Sequence, residues 1–308
     1  MPLDPSYLTY ERRRLGMDHD LYPASCILER PDFRWPDGRT VAIWPVVSLE
    51  WFPLTPEDAP FRAPGHMQTP YPDYRHYTAR DYGLRVGAWR LLDAFERRNI
   101  RASFAINAAV AERAPDLAKA VLAGGHELIA HSTDMNGTIA TGLEEAAERT
   151  LIADTLDRLE RATGVRPRGW SSIARSQSWN TLRLLAAAGV DYQCDWPNDD
   201  LPYWMQTPAG RIANLPLNHE LSDRQIITVQ QHSAESYAEQ IQDAFDWLAR
   251  ETGPRMLPLH LTPYILGLPF RIGAVESLLD TLQARPEAWF ARGDEIFDAW
   301  RAAVPQPA

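Results

Sequence analysis

Residues 41–48 have the sequence VAIWPVVS, a continuous apolar run that ends on a serine. Such a short run is typical of a strand that is buried on both faces of a parallel sheet. Pro45 has no N–H to donate, which predicts that it lies at an edge or a bulge of the strand. Glu50 comes just after the run, so we expect its carboxylate at the carboxyl end of this strand.

Further strands and helices are predicted to alternate along the rest of the chain. The predicted strands are residues 102–107, 126–130, 167–173, 191–195, 212–216, 226–229, 255–261 and 288–291, and the predicted helices are residues 83–98, 117–123, 143–163, 180–188, 236–250, 275–284 and 295–302. This alternation indicates parallel βαβ units. Because the units lack a glycine-rich dinucleotide turn, they favour an α/β fold, a distorted (β/α) barrel of about seven parallel strands, over an open sheet.

The 308 residues are predicted to form one domain with an irregular N-terminal arm. Residues 40–304 hold all the predicted strands and helices, whereas residues 1–39 show no clear period. Within the domain, residues 52–80 are polar and rich in proline, which predicts a long loop near the mouth of the barrel. No internal repeat, low-complexity tract or linker divides the chain.

The composition argues against several classes of function. A net charge of −10 disfavours nucleic acid and anionic membranes as partners, since both need a concentrated basic surface. No apolar run has the roughly 20 residues of a membrane span, and the N-terminus lacks a secretory signal, so we expect a cytoplasmic protein. The single lysine, Lys119, lies on a face expected to be solvated, which disfavours Schiff-base chemistry. Eleven tryptophans and 25 prolines suit a pocket for a small molecule.

Ionisable residues stand close to the ends of several predicted strands. They are Glu50, His131, Arg166, Asp195 and His260. In a barrel the carboxyl ends of the strands meet at one mouth, so these side chains are expected to share a pocket. Such a set suffices for acid–base attack of water on a carbonyl, because one group activates the water and another protonates the leaving group.

The order of these motifs resembles the polysaccharide deacetylase (NodB-homology) superfamily, and within it the branch of allantoinase-like and cyclic-imide-hydrolase-like proteins. The family's five motifs correspond to Ser48-Leu49-Glu50-Trp51, residues 131–135, Arg166-Pro167, Asp195-Trp196 and Leu259-His260. Longer strings at residues 82–90, 168–170 and 198–204 suggest the branch. The resemblance implies a NodB-like barrel and a hydrolase of carbon–nitrogen bonds other than peptide bonds.

The chain departs from the superfamily where its members bind a divalent metal. Family members use the second Asp of the first motif and both His of the second motif as ligands. This chain has Trp51, His131 and Met135 at those three positions. An indole offers no ligand atom, and a thioether is a poor ligand for zinc. We therefore expect no metal cofactor, with a divalent metal held through His131 as the alternative.

The resemblance also implies roles for individual residues. Glu50 stands at the position of the family's catalytic Asp and would activate water, while Arg166 would pair with this base. His260 would donate a proton to the leaving nitrogen, and Asp195 would orient its ring. His131 would position water or stabilise the oxyanion. The residues expected to contact substrate are Trp51, Met135, Trp170, Arg175 and Trp204.

Together these inferences predict a hydrolase that acts on a small cyclic amide, imide or ureide by general acid–base activation of water. Two alternatives stay open: a metal-dependent N-deacetylase of an acetylated sugar, and a non-catalytic binding protein on a decayed deacetylase scaffold. The expected partners are a small-molecule substrate and further copies of the chain. Allantoinase-like relatives form homo-oligomers, so we expect a dimer or tetramer that uses apolar residues of the arm, namely Tyr7, Leu8, Tyr10, Phe33 and Trp35.

Overall fold

The computed structural model describes residues 17, 19–69 and 72–304. Its strands are β1 (Val41–Leu49), β2 (Ser103–Ile106), β3 (Glu127–Ala130), β4 (Gly169–Trp170), β5 (Tyr192–Gln193), β6 (Tyr203–Thr207), β7 (Gly210–Asn214), β8 (Arg255–Leu261) and β9 (Ala288–Phe290). Its helices are α1 (Tyr74–Tyr82), α2 (Ala88–Glu96), α3 (Ala108–Arg113), α4 (Pro115–Ala123), α5 (Glu145–Thr163), α6 (Thr181–Ala187), α7 (Ala234–Leu248), α8 (Pro263–Leu266), α9 (Ile272–Gln283) and α10 (Gly293–Ala303). None of the helices in these ranges is both long and apolar enough to cross a membrane.

The strands form one curled sheet in the order β6-β7-β5-β4-β3-β2-β1-β8. Neighbouring strands are parallel except β6 and β7, which form an antiparallel hairpin at one end. One edge of β1 pairs with β8. On the other edge, the first residues of β1 pair in parallel with β9 and its last residues pair with β2. With helices around it, this sheet confirms the predicted distorted (β/α) barrel.

Pro45 lies inside β1, which has neighbours on both edges, so the prediction of an edge or bulge position is wrong. The amide of Val41 and the carbonyl of Ile43 bond to the β9 side, and the carbonyl of Leu49 bonds to the β2 side. Pro45 falls between these two sets, where neither β9 nor β2 pairs with β1. Its missing N–H therefore leaves no ladder partner unsatisfied.

The inside of the curl is filled at one end and open at the other. Trp44 of β1 faces inwards and belongs to the same buried cluster as Phe297 and Trp300 of α10. Burial of such large side chains contributes about 2–3 kcal/mol each, so this filling fixes the amino end of the sheet. Val46 is the next residue on this face of β1 and belongs to the same cluster, and Ser48 and Glu50 follow it beyond the filling and line a cavity.

Three local predictions differ from the structure. Residues 226–229 are not a strand but part of the π-helical turn Arg224–Val229. The last residues of the predicted loop 52–80 form the start of helix α1. Strand β6 was not predicted. A run of four residues is too short for its hydrophobic pattern to distinguish a strand from a helical turn, and its β-branched residues favoured the strand. Here side-chain bonds from Asp223 and Arg224 to residues far away in the sequence hold the turn in place.

The described part of the N-terminal arm packs onto the domain. Trp35 is buried in the inner core, and its indole N–H donates to a backbone carbonyl of β8 at 2.8 Å. Phe33 is partly buried beside it. Trp35 therefore does not offer the association surface that the sequence predicted for it. Tyr7, Leu8 and Tyr10 lie outside the described residues, and the oligomeric state stays a prediction.

Candidate active site

A cavity of about 470 Å³ lies at the carboxyl end of the sheet. The structure brings four of the five predicted catalytic residues to it, namely Glu50, His131, Asp195 and His260. Each of them ends or follows a parallel strand, and strands that run in one direction place their carboxyl ends together. The arrangement therefore joins residues from both ends of the sequence, while their catalytic roles stay predictions.

Glu50 is a buried carboxylate that is bonded to a guanidinium. Arg224 donates from Nη2 to both Oε1 and Oε2 of Glu50, at 2.8 Å each. The hydroxyl of Tyr264 donates to Oε2 at 3.0 Å. Burial disfavours the charged form of Arg224, but Glu50, Tyr264 and Asp223 together outweigh this effect and hold the pKa of the guanidinium above its ordinary value. The pair is thus a charge-compensated unit inside the protein.

His131 is held in one tautomer by the backbone. Its Nδ1 lies 2.7 Å from the carbonyl oxygen of Ser171, which can only accept, so the proton is on Nδ1. Burial lowers the pKa of His131, although the carboxylate of Glu50 acts in the opposite direction. The ring is therefore neutral near pH 7. Its Nε2 carries a lone pair and lies 4.0 Å from Oε1 of Glu50.

His260 contacts a serine and not the predicted aspartate. Its Nε2 lies 2.7 Å from the hydroxyl oxygen of Ser48, whereas its Nδ1 is buried without a hydrogen bond to any described residue. Asp195 accepts instead from the backbone N–H of Ser172 at 2.8 Å and from the side-chain amide of Gln177 at 2.7 Å. Burial, followed by the charges of nearby arginines, holds the pKa of His260 well below its ordinary value. Ser48, rather than Asp195, therefore fixes the ring.

Two of the predicted substrate contacts reach the cavity. Met135 is buried in its wall, and Arg175 also lines it. Arg175 ends a short 3₁₀ turn after β4, and its guanidinium donates to a carbonyl oxygen and to a ring nitrogen of the loop 217–219. Both placements agree with contact to a bound molecule.

The three predicted tryptophans do not line this cavity. Trp170 is fully buried, and its indole N–H donates to Ser172 at 2.9 Å. Trp204 packs against Trp300 in the inner core. Trp51 is half-buried, with the guanidinium of Arg113 4.9 Å from its ring centroid. A position near the end of a strand did not show towards which side of the sheet each indole ring points. All three rings pack against other parts of the protein and do not line the cavity.

Arg166 does not pair with Glu50, which corrects the sequence prediction. It is half-exposed and forms ion pairs with Asp157 and Glu160, at 3.0 and 2.9 Å. Arg166 precedes β4, so it lies at the amino end of the parallel sheet, opposite the cavity. Arg224 makes the contact to Glu50 instead. Sequence reasoning missed Arg224 because residues 226–229 were expected to form a strand.

The family comparisons agree with this geometry. The family model for polysaccharide deacetylases matches residues 72–193, which include β2 to β5. A Schizosaccharomyces pombe protein named for the same family is 25% identical over 306 residues, which is 89% of this chain and 94% of the relative. Residues 72–193 carry a polysaccharide deacetylase domain.

Solved structures of similar proteins cover nearly all of this chain. PuuE allantoinase is 27% identical with a TM-score of 0.83, over 93% of this chain and 99% of that one. A Pseudomonas aeruginosa protein named as a probable polysaccharide deacetylase is 28% identical with a TM-score of 0.82, over 93% of this chain and 100% of that one. The deacetylase domain thus has relatives named for a polysaccharide and for a ureide.

The donor set of this deacetylase domain does not fit the divalent metal of the superfamily. Among the described residues, no group of three His, Cys, Asp or Glu side chains could hold a metal ion. His131 and Glu50 lie together, but both carboxylate oxygens of Glu50 accept from the cationic Arg224. Trp51 and Met135, joined by a 2.9 Å backbone bond, stand at the other ligand positions. A second cation at this point would be repelled by the guanidinium.

Proposed function

We propose that this chain hydrolyses a carbon–nitrogen bond in a small cyclic amide, imide or ureide without a metal cofactor. The observation that carries the proposal is the compensated pair of Glu50 and Arg224, which faces the free Nε2 of His131 in the cavity at the carboxyl end of the sheet. This pair and the imidazole supply a base and fixed positive charge, which acyl hydrolysis needs when no metal provides them.

Glu50 and His131 act together on water in this proposal. A water molecule within reach of Oε1 of Glu50 and Nε2 of His131 transfers a proton to the pair as it attacks the carbonyl carbon. His131 can accept that proton because Nδ1 already carries the other one. The carboxylate at 4.0 Å then stabilises the imidazolium. Arg224 holds the carboxylate of Glu50 in place.

His260 supplies the proton for the leaving nitrogen. Its Nε2 bonds to the hydroxyl of Ser48, and this hydroxyl also lines the cavity. In its protonated form, His260 can therefore pass the proton on Nε2 to Ser48 while Ser48 gives its own proton to the nitrogen and the carbon–nitrogen bond breaks, which leaves His260 as a neutral imidazole. Release of the amide nitrogen without such protonation would be slow, so loss of either group reduces turnover.

The substrate class follows from the size of the cavity and the strength of its donors. A volume of about 470 Å³ lies in the range of small-molecule pockets, so a small ring with a side group fits inside it. Hydrogen-bond donors stabilise an oxyanion less than a divalent ion does, so an activated imide or ureide carbonyl suits them better than an acetamide. The likeness to PuuE allantoinase, over 93% of this chain, supports a ureide.

A hydrolysis screen of the purified protein tests this proposal. The panel contains hydantoin, allantoin, succinimide and N-acetylglucosamine oligomers, each with EDTA and with added zinc, and Glu50→Gln is the control. We expect turnover of at least one cyclic compound that EDTA does not reduce, and substoichiometric metal by elemental analysis. Turnover that appears only with added metal, or only on the acetylated sugars, would favour the metal-dependent N-deacetylase instead.

A further inference from the structure

We propose that the substrate carries a carboxylate, which binds to Arg175 while its ring amide faces Glu50 and His131. This inference rests on the proposed function and narrows the substrate to cyclic amides, imides or ureides that bear an anionic side group. Arg175 lines the same cavity as the three residues of the proposed reaction, so one small molecule can contact all of them.

The backbone at Arg175 is bent into an unusual conformation. Ala174 and Arg175 both have positive φ, at 58° and 56°. Residues with a side chain rarely adopt this region, and two in succession cost free energy that the surrounding structure must offset. The turn follows directly from the short strand β4, and it ends with the guanidinium in the cavity wall.

Neutral acceptors hold the guanidinium of Arg175. Its Nε donates to the carbonyl of Leu217 at 3.2 Å, Nη1 donates to Nδ1 of His219 at 3.0 Å, and Nη2 donates to the carbonyl of Asn218 at 3.4 Å. A guanidinium has five N–H groups. These bonds leave one N–H on each terminal nitrogen, which is the number that a carboxylate can accept.

Arg175 has no carboxylate within ion-pair distance among the described residues, unlike Arg224. The two carboxylates of the cavity are engaged elsewhere, since Glu50 bonds to Arg224 and Asp195 accepts from Ser172 and Gln177. A largely buried cation without a counter-ion is unfavourable, and an anionic ligand would remove that cost. The cavity is thus prepared for one negative charge from outside the protein.

A bound carboxylate would also affect the proposed proton donor. The positive charges of Arg175 and Arg224 contribute, after burial, to the low pKa of His260. An anion on Arg175 cancels part of this field, so the pKa of His260 rises when the substrate binds. A larger fraction of His260 would then carry a proton in the complex. A neutral analogue would lose turnover as well as affinity.

A matched pair of compounds tests the inference: 5-carboxymethylhydantoin and its neutral carboxamide. On the wild type, we expect kcat/KM for the acid to exceed that for the carboxamide by about 30-fold or more, the range of one charge-assisted contact. Arg175→Gln is expected to reduce this ratio to near one, and Arg175→Lys to retain part of it. Arg166→Gln, which changes an arginine outside the cavity, is the control and keeps the ratio.

The pH dependence of kcat supplies a second measurement. In this proposal turnover falls as the pH rises through the pKa of His260, and this fall is expected at higher pH for the acid than for the carboxamide. Equal ratios for wild type and Arg175→Gln would overturn the inference while leaving the proposed function intact. If neither compound is hydrolysed, calorimetric binding to the wild type decides, since equal affinity for the two compounds would also overturn it.

Discussion

Glu50 and Glu127 are both buried carboxylates next to the sheet, but they lie at its opposite ends. Glu50 follows β1 at the carboxyl end, where Arg224 donates to both of its oxygens beside the cavity. Glu127 begins β3 at the amino end, where its oxygens accept from the hydroxyls of Ser103 and Tyr192. One carboxylate is compensated by a cation, and the other is surrounded by neutral donors.

The neutral surroundings give Glu127 a different role. Burial, with the nearby carboxylate of Asp294, raises the pKa of Glu127 to about 7. Its Oε2 also accepts from the backbone N–H of Asp294 in the first turn of α10, at 3.1 Å. Glu127 therefore joins β2, β5 and α10 where the inner core is filled. Burial of a carboxylate alone does not indicate catalysis; the groups that compensate it and the space beside it do.

Removal of the cation is expected to have the largest effect on stability. Arg224→Met leaves the carboxylate of Glu50 buried without a cationic partner, which should lower the free energy of unfolding by about 3–5 kcal/mol. Urea unfolding at pH 7 measures this change. Arg168→Met, which breaks partly exposed ion pairs with Asp191 and Asp298, is the control and should cost far less. The double variant Arg224→Met/Glu50→Gln should regain most of the loss, and a double variant no more stable than Arg224→Met would contradict the pairing.

The second largest effect is expected on turnover, where substitutions of Glu50 and Glu127 should differ. Glu50→Gln keeps the shape of the side chain and removes its charge, so kcat on the identified substrate should fall by at least ~100-fold. Glu127→Gln lies at the far end of the sheet and should keep kcat within about threefold of the wild type. Circular dichroism confirms that both variants are folded. The contrast fails if the two substitutions reduce kcat to a similar extent.

The raised pKa of Glu127 should be visible in the pH dependence of the free energy of unfolding. Its pKa in the folded protein, about 7, lies above its ordinary value of 4.5, so the folded state holds a proton that the unfolded chain has released between these pH values. The free energy of unfolding should therefore decrease as pH rises from 4.5 to 7, by about 2–3 kcal/mol from this group. Urea titrations across that range measure it. Glu127→Gln should flatten this part of the profile, and an unchanged slope in the variant would exclude Glu127 as its source.

The sequence allowed the fold and the core of the site to be predicted for one physical reason. Glu50, His131 and His260 each end or follow an apolar segment, and parallel strands bring such positions together without any knowledge of the turns between them. The alternation of strands and helices was enough to indicate that parallel arrangement. The prediction needed only the direction of the chain and the position of each polar residue.

The rest of the site depends on contacts that no local pattern reveals. Arg224 and Glu50 are 174 residues apart, and the run after Arg224 is apolar and β-branched, which suggested a strand. The contact between Ser48 and His260 depends on the register between β1 and β8. The register of the strand also decides towards which face of the sheet the side chain of Trp170 points, and the sequence does not show that register.

Substitution of Arg166 is expected to have the smallest effect on turnover and stability. It precedes β4, so the direction of the sheet alone places it at the same end as Glu127 and away from the cavity. Its ion pairs with Asp157 and Glu160 are solvent-exposed, and such pairs contribute at most about 1 kcal/mol to stability. Arg166→Gln should therefore keep kcat and KM within about twofold of the wild type and change the urea midpoint only slightly. A loss of turnover near that of Glu50→Gln would instead mean that Arg166 reaches the catalytic carboxylate in the working enzyme, as the family motif implied, and that the pairing of Glu50 with Arg224 is not the active arrangement.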